Sequence, residues 1–237
     1  MTDDDDQHLR DLNASPVNPL PGAVWLLIAA FVAVEATLSA AGYGLIGGAQ
    51  GVGWRITAIQ RYAYSSAIQS WMIENWRFPP AHLLRYLTFP FLHGSPGHAL
   101  FGAVLVAALG KMVGERFGPA NFLALALGVP ILAAILFGLV VGEDQLGWLF
   151  GAMPMVFALV GAFTWLRWRD AGADPAKRRQ AFALIGMLLL ARLAFGLLAE
   201  SGPQWIAELA AFALGFGASA LLLGPGSWRR FRARLRG

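Results

Sequence analysis

His93 and His98 lie five residues apart in FLHGSPGHALFG, across a Gly-Ser-Pro-Gly turn, and the sequence becomes apolar directly after the second. The chain has only four histidines, so this pairing holds half of them. Imidazoles near neutral pH relay protons, donate hydrogen bonds or ligate metals. Three more ionisable groups stand inside apolar stretches: Glu208 in WIAELAAFALGFG, Arg192 in LLLARLAFG and Glu35 in AAFVAVEATLSAAG. Such a residue is costly in a membrane span and by default points to function. Glu208 falls about one turn, and Arg192 about two turns, below the outer ends of their stretches. An Arg192–Glu208 ion pair forms if their faces meet; otherwise each snorkels or pairs separately. His93, His98 and Glu208 also have the donor set of a three-ligand zinc site with an open position. The simpler reading, adopted here, makes the histidines hydrogen-bonding groups in a wet cavity, with no metal. Glu35 is expected to be protonated or hydrogen-bonded to a neighbouring helix, with transport as the sharper alternative. Ser95, three residues before His98, suits a helix N-cap better than a displaced nucleophile.

Membrane helices must position these groups. Hydrophobic residues make up 57% and charged residues 14% of the chain, against roughly 25% charged in a soluble domain. Cysteine is absent, which excludes disulfides, thiolate catalysis and cysteine-ligated zinc. A span needs about 20 mostly apolar residues, and six are expected, at about 22–46, 97–114, 120–141, 147–166, 181–199 and 204–223. Lys111 and Arg116 flank the end of the second span. Arg167, Arg169, Lys177, Arg178 and Arg179 follow the fourth, and SWRRFRARLRG ends the chain. GEDQ and ESGPQ contain neither lysine nor arginine. The positive-inside rule therefore places both termini in the cytoplasm. Residues 1–20, with DDDD, read as a disordered acidic tail, 21–224 as one membrane domain and 225–237 as a basic tail. The basic tail is a topology determinant, with anionic lipid headgroups as its other candidate partner; no nucleic acid is implied. The long outer connection, about 50–90, mixes arginines with aromatics and suits a structured segment half-submerged among headgroups. Gly110/Gly114, Gly138/Gly142 and Ala211/Gly215 are small-residue spacings that let helices approach closely.

LLRYLTFPFLHGSPGHALFG, ALGKMVGERFG and the six-span pattern together resemble the rhomboid family of intramembrane serine proteases, over about residues 80–217. The resemblance implies an all-α, six-helix rhomboid-like bundle, and the basic, cysteine-free, compact design suggests a bacterial inner membrane. Arg85 keeps the arginine of the family's tryptophan–arginine pair, and Leu84 replaces the tryptophan. His93 and His98 have the family spacing, and Gly110, Glu115 and Gly118 match.

The family's chemistry needs a serine in a Gly-x-Ser-Gly turn, a histidine on the sixth helix and an asparagine four residues after the second histidine. By that resemblance the three positions hold Met153 (in Gly151-Ala152-Met153-Pro154), Glu208 and Gly102. A thioether has no ionisable proton and forms no hydrolysable acyl intermediate. The leading reading is therefore a non-proteolytic pseudoprotease. It binds transmembrane segments of client proteins, entering between the second and fifth spans, through His93, His98, Glu208 and Arg192. An active serine endopeptidase and a small transporter using Glu35, Arg192 and Glu208 are the alternatives.

Overall fold

The computed structural model describes residues 20–143, 147–198 and 202–223, with the side chains of 192–198 outside that description. The two expected tails, and the Arg192 side chain with its pairing to Glu208, lie outside the described residues. The protein is mostly helical and membrane-embedded. Helix α1 is Gly22–Gly42. The segment expected on the outer side follows as α2 (Gly48–Gly51), α3 (Trp54–Tyr62), strand β1 (Tyr64–Ser65), α4 (Ser66–Glu74), α5 (Pro80–Leu83), α6 (Arg85–Thr88) and a 3-10 turn, Phe89–Phe91. Then come α7 (Pro96–Leu123), a π-helical turn (Ala124–Gly128), α8 (Val129–Val141), β2 (Trp148–Leu149) and α9 (Met153–Asp170). Helices α10 (Pro175–Gln180), α11 (Ala183–Leu198) and α12 (Trp205–Leu223) complete the described chain.

Length and hydropathy qualify Gly22–Gly42, Pro96–Val141 and Trp205–Leu223 to cross a membrane. The middle stretch of 46 residues would be a rod of about 70 Å, more than twice the roughly 30 Å hydrocarbon thickness. Gly118 folds it: at φ 74° and ψ 166° it leaves the helix, and Pro119 restarts it with a fixed φ. This one-residue break separates the second expected span from the third. Helix α9 falls short of the measure because Arg167, Arg169 and Asp170 end it, and α11 because it has 16 residues. Helix α9 is nonetheless the hub of the bundle, buried almost continuously from Pro154 to Leu166.

Missing side chains set the helix contacts. A Cβ on Gly161 would stand 2.2 Å from the Phe212 carbonyl oxygen, and one on Gly215 would stand 2.2 Å from that of Ala158. Helices α9 and α12 therefore touch backbone to backbone, as lipid-embedded helices do where small residues face each other. Gly110 and Gly114 receive Val24 and Pro21, which seats α1 on α7. The third spacing behaves differently. Gly138 faces the outer segment, not a helix of the bundle: its missing Cβ leaves room for the Tyr64 hydroxyl and the Gln69 amide. Gly142 has open space at the end of α8, where φ 65° requires a glycine. Sequence periodicity identified smallness at these two positions but misassigned its purpose.

The outer segment is folded, as its length led us to expect, and it is tied inward by hydrogen bonds. Tyr64 and Tyr86 both donate to Gln69 Oε1 (3.0 and 2.7 Å), and Gln69 Nε2 donates to the Ile135 carbonyl of α8 (3.0 Å). Arg85 donates to the Ala63 carbonyl (2.8 Å), and Thr88 to that of Tyr62 (2.7 Å). Overpacking a tight site costs about 1–3 kcal/mol. Gly215→Ala should therefore lower stability by about that amount, whereas Gly217→Ala, with nothing within 4 Å of its Cβ, should be neutral. Unfolding of both variants in detergent checks the difference.

Candidate functional site

The cavity is built on the turn that precedes α9. Strand β2 pairs antiparallel with β1, Tyr64 opposite Leu149 and Ser65 opposite Trp148, and the Ser66 amide donates to the Gly147 carbonyl (2.8 Å). The chain then turns at Gly151, whose φ of 97° favours glycine and whose amide donates to the Phe89 carbonyl (2.9 Å). A Cβ there would meet the His98 ring at 2.7 Å, so the imidazole rests directly on the turn. Helix α9 begins at Met153, with Pro154 in its first turn.

On the facing side, Ser95 caps α7 as its sequence suggests, its hydroxyl accepting the His98 amide at 3.2 Å. His98 Nδ1 lies 3.5 Å from the Gly94 amide. One turn further along α7, a Cβ on Gly102 would stand 2.9 Å from the Ala152 Cβ and 3.3 Å from His93 Nε2. The site of the family's asparagine is thus occupied here by close contact between backbone, Ala152 and imidazole.

Met153, His98 and Glu208 meet in one cavity of about 200 Å³, which Trp148, Phe150 and Gln204 also line. Glu208 enters from the first turn of α12 and is 4% exposed. Gln204 Nε2 donates to the Trp148 carbonyl across 3.4 Å, linking the start of α12 to β2. His93 departs from expectation. It is 1% exposed, stands behind His98 with ring centroids 5.1 Å apart, and packs edge-on against Phe31. The cavity is faced by His98, and His93 supports that ring from the protein interior. Among the described residues no three His, Asp or Glu side chains gather as metal ligands, so His93, His98 and Glu208 do not form the zinc arrangement their types allow.

Glu35 meets the second of its two expectations, a hydrogen bond to a neighbouring helix: it forms a bidentate ion pair with Arg55 of α3, at 2.6 and 2.9 Å. Arg55 further donates to the Ser39 hydroxyl (3.2 Å) and the His93 carbonyl (2.8 Å), and Ser39 donates to Glu35 (2.6 Å). Sequence reasoning missed Arg55, Ser39 and Gln204. Glu35 and Ser39 are four apart, on one face of α1, which was the available signal for Ser39; no local spacing pointed to Arg55.

Burial, and next the neighbouring His98, push the His93 imidazole down to about 4. Neither ring nitrogen has a hydrogen bond of ordinary geometry to favour the charged form. An unfolded chain's imidazole takes a proton near about pH 6.5. Between that value and about 4 the unfolded state holds the extra proton, so stability falls as pH falls through this window. The unfolding midpoint should drop from pH 7 to pH 4.5, and His93→Phe should flatten the slope; a thermal series in detergent reads both.

The rhomboid domain family model matches residues 80–225, from α5 to just beyond the described end of α12. No curated protein matches the chain. The match covers well over half of the 237 residues and contains His93, His98, Gly102, Met153 and Glu208, while α1 to α4 lie before it. The protein whose turn, paired histidines and glycine-packed helices have been described is a member of the rhomboid family.

Proposed function

We propose that this rhomboid-family protein is a pseudoprotease, a six-span protein of the bacterial inner membrane that binds transmembrane segments of client proteins without cutting them. The observation that carries this reading is the shared cavity of Met153, His98 and Glu208, with Gly102 packed on Ala152 beside it. Serine-type hydrolysis at such a cavity needs an attacking hydroxyl, a base to take its proton and donors to the oxyanion. Met153 supplies a thioether and Gly102 no side chain. The loss of one oxyanion donor typically costs about 2.7–4 kcal/mol in the transition state.

Binding needs none of these. A transmembrane helix that unwinds exposes backbone groups costing several kcal/mol each in hydrocarbon. His98, Gln204 and Glu208 place polar side chains among Trp148, Phe150 and Met153, a lining suited to polar or helix-breaking residues of a client. The topology has support at the other end of the bundle. Arg116 of α7 pairs with Asp170 of α9, and Arg169 and Arg178 lie 4.8 Å over the Trp165 and Trp168 rings. Basic residues of both connections thus share one end, in keeping with a cytoplasmic face. Glu35, the first residue of the transporter reading, is paired with Arg55.

The protein reconstituted in liposomes should remain unlabelled by a fluorophosphonate and leave a model transmembrane substrate uncut, while client membrane proteins co-purify at full length. Met153→Ser/Glu208→His should gain fluorophosphonate labelling, and Met153→Trp, which fills the cavity, should reduce client recovery several-fold. Labelling of the unaltered protein at a hydroxyl facing the cavity, or client shortening that depends on it, overturns the reading.

A further inference from the structure

The turn that carries the paired histidines is poorly held by its own residues. Between His93 and His98 it contains Gly94 and Gly97, and neither has a side chain to pack. Its internal bonds are the Ser95 cap at 3.2 Å and the long Gly94–His98 contact at 3.5 Å. The firmest polar contact on it comes from outside: Arg55 Nη1 donates to the His93 carbonyl at 2.8 Å. That guanidinium is itself clamped. Glu35 takes both of its terminal nitrogens, and Ser39 braces the second nitrogen and the carboxylate together. The two side chains are 19% and 12% exposed, so solvent competes little for the pair. A planar fork with two fixed partners leaves its donor little freedom to move.

We infer that Arg55 is a positioning residue of the cavity: Glu35 and Ser39 aim its guanidinium at the His93 carbonyl, and this contact sets where His98 stands over Met153. The chain of contacts is continuous. The His93 carbonyl fixes the backbone that carries the His93 ring, that ring packs at 5.1 Å against His98, and His98 rests on Gly151, two residues before Met153. Glu35, Ser39 and Arg55 all precede the residues matched by the rhomboid family model, so α1 and α3 complete a site whose other members lie within 80–225. The inference concerns how the cavity mouth is held, whatever occupies it, and does not depend on the absence of proteolysis.

The absence of cysteine makes the test direct. Met153→Cys reports the cavity, and Ser219→Cys, at a fully buried site on α12, reports general loosening. Each is labelled in liposomes with a small water-soluble thiosulfonate. Arg55→Ala should change the Met153→Cys rate at least threefold and leave Ser219→Cys unchanged. The decisive variant is the exchange Glu35→Arg/Arg55→Glu. It re-forms the ion pair but puts at position 55 a side chain that cannot donate to a carbonyl. It should therefore recover thermal stability without recovering the labelling rate. Arg55→Lys, which keeps one charge and gives up the fork, carries the test should Arg55→Ala fail to fold, and its rate should also differ from the parent at near-normal stability. An unchanged rate in these variants, recovery of the rate by the exchange, or parallel change at both cysteines would each refute the assignment and leave Arg55 as a clasp between α1 and α3.

Discussion

The geometry of this protein depends on the contact between α9 and α12. Hydrocarbon tails are as apolar as leucine, so lipid-embedded helices associate by close packing and not by a hydrophobic drive. Gly161 and Gly215 allow each backbone to reach the other's carbonyls. That approach fixes the separation of the two helix starts, where Met153 and Glu208 stand. A bulky side chain in the seam would part the helices and open the cavity along with them.

The remaining elements complete the cavity around that seam. Helix α7 contributes His98 and the bare surface of Gly102. The two-residue sheet and the Phe89 carbonyl hold the chain entering the Gly151 turn. The outer segment connects with the bundle at two separate places. Its Tyr64–Gln69–Tyr86 cluster reaches α8, and Arg55 reaches α1 and the histidine turn. In both places the polar groups of the segment are satisfied by the helices they lean on, as buried polar groups must be. The segment therefore packs against the helices at both places through specific hydrogen bonds.

Much of this was legible in the sequence where the chemistry is local. Ser95-Pro96 spells a helix start, and the interval between the expected spans 97–114 and 120–141 contains the break at Gly118. The pairing of Ala211 with Gly215 marks a close helix contact. The turn at Gly151 and the meeting of Met153, His98 and Glu208 followed from the resemblance to rhomboids and not from periodicity. The misses share a physical cause: each depends on a partner distant in the chain. Glu35 is neutralised from twenty residues away by an arginine in a segment without periodic pattern. Gly138 is small for a tyrosine hydroxyl 74 positions earlier, which no helix-face argument reaches. His93 shares the motif of His98, yet burial separates them, and spacing alone does not record depth.

The contact of Gly102 with Ala152 also limits what position 102 accepts. Because the Gly102 backbone has closed on the Ala152 methyl group and on the His93 ring, there is no space for a larger side chain at 102. An asparagine placed there alone meets a filled volume and is tolerated only once Ala152 or the ring behind it has shifted. Placing a side-chain donor at this point therefore takes more than one substitution, because a single exchange disturbs the packing before it adds a hydrogen bond.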